Sequence, residues 1–244
     1  MEKKEIKGKC SQLFWYFLFF SVIGLLLETL FCYITTGIWE SRKGLLWGPF
    51  CPIYGVGAVV LILLLERFED SREKIFFFGG ILGCIVEYIL SYILEAMYGT
   101  KFWDYSYKAF NLNGRICLTY ALYWAILSLV LMRYIKPKLD TWISKIPIRL
   151  SCLLEYTLFL FLIVDAIFTV WSISIYEKRM VNLYYDIPQN PVESTFISEI
   201  EENYFSTERM SKIFPNIRVR DKNGREMFVR DILYGRRAGT DPTL

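Results

Sequence analysis

Four acidic residues, Glu28, Glu87, Glu95 and Asp165, stand inside runs of apolar sequence that offer a carboxylate no water. In low dielectric such a group must take a proton, a cation or a set of hydrogen-bond donors. Acidic residues in membrane segments therefore mark ion or solute paths, proton relays or catalytic acids and bases. Glu87, Ser91 and Glu95 recur every four residues, which puts them on one face of a helix. A rise of ~1.5 Å per residue separates the two carboxylates by about 12 Å along the axis. The nearest plausible counter-charge is Arg115, in the polar stretch FWDYSYKAFNLNGRIC between two apolar runs.

Three readings follow from these residue types. In the first, the carboxylates are protonated or hydrogen-bonded scaffold, in a non-catalytic membrane protein. In the second, Glu28, Glu87, Ser91, Glu95 and Asp165 line a path for a small solute or ion, with Arg42, Asp104, Asn113 and Arg115 at its mouth. In the third, Glu95 or Asp104 is the acid-base group of a membrane-embedded enzyme acting on a lipid-linked or amphiphilic substrate. Asp104 and Asn113 also suit caps or a tight loop, and Gly114 suits a backbone angle closed to most residues. Arg115 can orient Glu95 or Glu28, or receive an anionic substrate.

Several chemistries are excluded. With no histidine, the chain lacks the usual neutral-pH proton shuttle, a Ser-His-Asp triad and an HExxH zinc motif. No GxxxxGK[ST] loop supplies an ATP site, and Gly79, Gly80 and Gly83 have the spacing of helix-packing glycines. The six cysteines form no CxxC pair and no metal-ligand spacing, so neither a cofactor nor a metal is expected. Cys51 and Cys117 begin segments on one side of the membrane, which leaves a disulfide between them conceivable on height alone. A net charge of +3, dispersed along the chain, argues against a nucleic-acid partner.

The elements that must position these residues are membrane helices. The 244 residues are 54% hydrophobic and 18% aromatic, more than one soluble core requires, and the excess lies in long runs. We expect an all-α, polytopic helical membrane protein, with the lipid bilayer as its solvent. About five transmembrane helices are expected, over residues 13–35, 49–65, 75–97, 116–134 and 150–176, with a polar C-terminal tail over 181–244. The first run is too long for a signal h-region and no small-residue cleavage site follows it. Gly48-Pro49-Phe50-Cys51-Pro52 predicts a bent or partly unwound entry to the second segment, tolerated only where protein or a wet cavity meets the freed backbone groups. In the tail, residues 192–213 read as an amphipathic helix presenting Phe196, Ile200 and Tyr204. Residues 217–229 read as a hairpin about Asn223-Gly224.

Lys and Arg close to the spans set orientation. Lys3, Lys4, Lys7, Lys9, Arg67, Arg72, Lys74, Arg133, Lys136, Lys138, Lys145 and Arg149 would share one side of five spans. Arg42, Lys43, Lys101, Lys108, Arg115, Lys178 and Arg179 would share the other. The excess on the first side predicts the N-terminus inside and the C-terminus outside.

Three stretches, RKGLLWGPFCPIYGVGA, VEYILSYILEAMYGTKFWDYS and FNLNGRICL, occur in that order, and with them the chain resembles a bacterial membrane family. It is the family called putative ABC-transporter type IV, or CmpB-like putative ABC transporter permease. The similarity runs from about Phe17 to Arg179, and FPNIRV from Phe214 resembles the tail of many members. The resemblance implies a multi-pass protein of the bacterial plasma membrane with a permease role in transport. It further implies an ATPase subunit in trans, which would contact Glu66 to Lys74 or Lys136 to Arg149. A homo-oligomer is compatible with every one of these readings.

Overall fold

The computed structural model describes residues 2–98, 103–185, 187, 201–220 and 226–233. Helices dominate: α1 (Glu2–Thr36), α2 (Pro52–Leu65), α3 (Arg72–Tyr98), α4 (Leu118–Val130), α5 (Lys136–Ser144), α6 (Ile148–Tyr184), α7 (Thr207–Ile213) and α8 (Val229–Leu233). Between α3 and α4 a small ladder forms from β1 (Asn111–Leu112) and β2 (Ile116–Cys117). In the tail, β3 (Arg218–Arg220) pairs with β4 (Glu226–Phe228).

Among the described residues four stretches are long and apolar enough to cross a bilayer: Gly8–Thr36, Arg72–Ile93, Leu118–Ser144 and Ile148–Tyr184. The chain is thus an all-α, multi-pass membrane protein. The segment expected over 49–65 contains α2, a helix of 14 residues. At ~1.5 Å per residue that is about 21 Å, short of a hydrocarbon core of about 30 Å. The helix from Leu118 to Ser144 widens into a π-helical turn over Leu131–Ile135. Pro137 gives the cause: it has no N–H to offer and its ring crowds the carbonyl of Arg133, which a wider turn relieves.

Contacts divide the chain into two compact units, the first made of Met1–Ser21 and Pro52–Thr157 and the second of Val22–Cys51 and Leu158–Leu244. In the first unit, Tyr16 and Phe20 of α1 pack with Leu61, Ile62 and Leu65 of α2, Ile75 of α3 and Leu131, Met132 and Leu139. Helices α3 and α4 lie close together because α3 offers glycine at the contact. A Cβ on Gly80 would stand 3.0 Å from the Ala121 carbonyl oxygen and 3.3 Å from the Ala125 methyl. One end of this unit is tied by charge. Tyr16 donates to Asp140, and Lys136 lies 3.2 Å from Asp140 and 3.0 Å from Glu69. Glu155 accepts from Ser11 at 2.5 Å and from the Trp15 indole at 2.9 Å. Ile85 and Ile89 of α3 and Leu122 and Ile126 of α4 are exposed, as suits helices whose solvent is lipid.

In the second unit a compact core joins Leu46 and the end of α6 (Ile175, Tyr176, Met180) to the tail residues Phe205, Met210, Phe214, Val219, Met227 and Val229. Arg179 donates to the Phe205 carbonyl at 2.6 Å. Ser206 caps α7 by accepting from Arg209 N–H, so the helix begins at Thr207. The part of the expected amphipathic helix over 192–200, with Phe196 and Ile200, lies outside the described residues, as does the Asn223-Gly224 turn. The two strands flanking that turn pair antiparallel, Arg218 with Phe228 and Val219 with Met227. No disulfide joins the cysteines of the described residues.

Replacing Gly80 with Leu forces a side chain against the backbone of α4. Overpacking of this kind costs about 1–3 kcal/mol. G80L in detergent is expected to unfold at a clearly lower temperature than the parent, and an unchanged melting curve would contradict the close approach of α3 and α4.

Candidate functional site

The loop from Trp103 to Cys117 folds over the end of α3 and the start of α4 because short polar side chains bind their own backbone. Asp104 accepts from Ser106 N–H at 3.0 Å and from the Ser106 hydroxyl at 2.6 Å. The Asn111 amide donates to the Lys108 carbonyl at 2.8 Å, and its oxygen accepts from Gly114 N–H at 3.1 Å. Asn113 and Gly114 both have positive φ, 53° and 68°, and Arg115 N–H bonds the Leu112 carbonyl at 3.0 Å. These are the φ signs of a type I′ turn, for which Asn-Gly is the preferred pair. A Cβ at position 114 would collide with the Asp104 carboxylate and the Ser106 hydroxyl, so glycine is required there on two counts.

That turn aims Arg115 back at α3. Its guanidinium donates to Ser91 Oγ at 3.0 Å and forms a salt bridge with Glu95. It also lies 5.6 Å from the ring centroids of both Tyr88 and Tyr92, a cation–π arrangement. Trp103 donates to the Arg115 carbonyl at 3.0 Å, and the Asn113 amide donates to the Tyr88 hydroxyl at 2.9 Å. Ser91 and Arg115 are buried, while Glu95 keeps partial exposure.

Two turns before Glu95, Glu87 is 8% exposed. One carboxylate oxygen accepts from the Tyr105 hydroxyl at 3.0 Å and the other from the Trp124 indole at 2.9 Å. Burial, with the Glu87 charge beside it, holds the Tyr105 phenol well above the ordinary tyrosine range, so it stays a donor. Tyr105 also stacks on Tyr120, centroids 4.3 Å apart. Ser91, Glu95 and Arg115 are thus joined directly and Asn113 joins them through Tyr88, while Glu87 is held apart from them by Tyr105 and Trp124, and Asp104 shapes the loop that carries Arg115. Glu28, Arg42 and Asp165 belong to the second unit. There Asp165 is wholly buried and accepts from Trp47 N–H at 3.0 Å, Arg42 donates to Cys32 Sγ at 2.9 Å, and Glu28 is half-buried on α1.

Sequence reasoning missed Tyr88, Tyr92, Tyr105 and Trp124 as the groups that hold the charges. Tyr88 and Tyr92 are four apart, on the helix face adjoining Ser91, a signal available in the sequence. Trp124 is an indole within a span, which needs an acceptor. Among the described residues no cluster of His, Cys, Asp and Glu could hold a metal ion.

Helices of this length, with buried acids secured by neighbouring side chains and a polar loop closing one end, define a polytopic helical membrane protein. The chain belongs to the family described as putative ABC-transporter type IV, whose model matches residues 15–170. All three motif stretches lie inside the matched residues. No curated protein and no solved structure matches it. Membership places the chain in a membrane-protein family of transporter type.

Arg115 makes two directed bonds at once, which an ammonium cannot copy. R115K should lower the melting temperature nearly as much as R115A. A double-mutant cycle with E95Q should give a coupling of about 1–3 kcal/mol, the range for bonds to charged groups. R115K matching the parent would contradict the fork geometry.

Proposed function

We propose that the chain is a permease-like protein of the bacterial plasma membrane that handles a small solute or ion along the α3 face bearing Glu87, Ser91 and Glu95, with Arg115 at the mouth. One observation carries this reading. Among the described residues Glu87 meets only neutral donors and forms no salt bridge, although it lies within a span. A carboxylate prepared in this way can take up and release a proton, a cation or a cationic group without first breaking an ion pair. Arg115 and Glu95, on the same face nearer the helix end, can exchange their mutual bond for one to a passing polar solute. This path rests on the first unit alone.

A scaffold role also has a specific observation in its favour: Arg115 is fully engaged by Ser91, Glu95 and two tyrosine rings. The two readings separate on one substitution. Proteoliposomes containing pH- and alkali-ion-sensitive dyes should show flux with the parent chain, falling about tenfold or more in E87Q, which removes the charge and keeps the size. Parent proteoliposomes without flux, or equal flux in E87Q, would favour the scaffold.

For topology we propose five crossings, the second made by non-helical residues before Pro52 together with α2, with the N-terminus inside and the C-terminus outside. Alkaline phosphatase fused after residue 244 should be active, and the same fusion placed before residue 1 inactive; the reverse pattern would overturn the assignment. The family's transporter type supports an ATPase subunit in trans at the connectors Glu66 to Lys74 or Lys136 to Arg149. Purification from native membranes should retain it, and a preparation without any ATPase would count against that partner.

A further inference from the structure

Glu87 in the first unit has a donor on each of its carboxylate oxygens, whereas Asp165 in the second unit does not use both of its own. Asp165 is 0% exposed, 17 residues into the 37-residue helix α6, about 26 Å from that helix's start and so near its middle. Its Oδ1 accepts from Trp47 N–H at 3.0 Å and from the Thr169 hydroxyl at 3.3 Å. Its Oδ2 is equally buried and accepts no hydrogen bond from a described residue. A carboxylate oxygen in that position is costly unless something positive meets it.

What packs against it is not helix. Leu46 N–H donates to Thr169 Oγ1 at 2.8 Å, Trp47 N–H to Asp165, and the Phe50 ring meets Phe161 at 6.4 Å. Leu46, Trp47 and Phe50 therefore face residues 169, 165 and 161 of α6 from a bent, non-helical loop that Gly44 N–H closes by donating to the Phe50 carbonyl at 2.9 Å. Gly48, inside this run, has φ +67°. Non-helical backbone at membrane depth is tolerated where protein surrounds it or where it lines a cavity, and its free carbonyls are a recurrent source of cation ligands in transporters.

We propose that Asp165 Oδ2 is the binding atom of a monovalent-cation site, taking a proton or Na⁺, formed where residues 46–50 run unwound beside α6. Thr169 Oγ1 supplies a neutral oxygen ligand beside the carboxylate. A single carboxylate suits one positive charge, whereas a divalent ion would call for more acidic ligands. The charged groups on the packed segment are Lys43, within electrostatic reach of Asp165, and Arg42, which donates to Cys32 Sγ. Neither forms an ion pair with Asp165 within the described residues. The site does not depend on the Glu87 path, since it lies in the other unit and uses none of its residues.

Infrared difference spectra of the full chain in lipid nanodiscs test the proposal, with the contribution of Asp165 isolated by D165N. Expected at acidic pH is a protonated-carboxyl stretch assigned to Asp165. If Na⁺ erases the band at fixed pH while choline does not, the site takes Na⁺ in competition with the proton. A band that only rising pH erases makes the proton its sole ligand. T169A retains the carboxylate and loses one oxygen ligand; it should weaken the Na⁺ response about tenfold, in line with loss of one bond to a charged group. An Asp165 signal that neither pH nor Na⁺ alters, in the parent and in T169A alike, overturns the proposal.

Discussion

In hydrocarbon a backbone N–H or C=O that lacks a partner costs several kcal/mol, and no water is present to supply one. Residues 46–50 break helical structure beside the middle of α6 and so confront that cost directly. Thr169 and Asp165 meet it by taking the N–H groups of Leu46 and Trp47. Without those two side chains the N–H groups of Leu46 and Trp47 would lose the partners they have here. The same dependence fixes Leu46 in the core that ties the end of α6 to the tail, where Met210, Val219 and Val229 are fully buried. Asp165 is thereby structural through one oxygen and available through the other.

The first unit solves a related difficulty with charge. Glu87 and Glu95 lie on one face of α3, and each receives donors from outside its own helix. Trp124 comes from α4, while Tyr105 and Arg115 come from the loop. The Asn113-Gly114 turn is what makes this possible, since it reverses the chain within a few residues and returns Arg115 to the face it has just left. The polar loop is therefore the source of donors for acids that the lipid cannot serve. The glycine contacts of α3 complete the arrangement by drawing α4 near enough for the Trp124 indole to reach Glu87.

Much of this was legible in the sequence. Apolar run length gave the membrane helices, the four-residue spacing of Glu87, Ser91 and Glu95 gave their common face, and the Gly-Pro-rich entry at 48–52 gave an unwound stretch. Arg115 was identified as a counter-charge, though with Glu95 and Glu28 as equal choices; the geometry selects Glu95 in the first unit. What was not legible depends on rotation and depth. Helical rise gives the height of Asp165 but not its azimuth, so the sequence could not show that Trp47 and Thr169 are its neighbours. The start of α2 was hidden because hydropathy cannot distinguish helical from non-helical apolar residues such as Phe50 and Cys51, which fall inside the segment expected over 49–65 but precede the helix. Asn113-Gly114 carried the same hairpin signal as Asn223-Gly224, but only the latter was flanked by residues with an obvious strand pattern.

Residues 46–50 lie unwound against the middle of α6, and cysteine cross-linking across that contact tests this placement most directly. In a cysteine-free background, a short bifunctional thiol reagent should join Phe50→Cys to Phe161→Cys in native membranes. It should leave Phe50→Cys unlinked to Ser174→Cys, about 20 Å further along the helix. Linkage to position 174 in place of 161, or to neither while both cysteines react singly, would contradict the seating of this loop against α6 and the role assigned to Asp165.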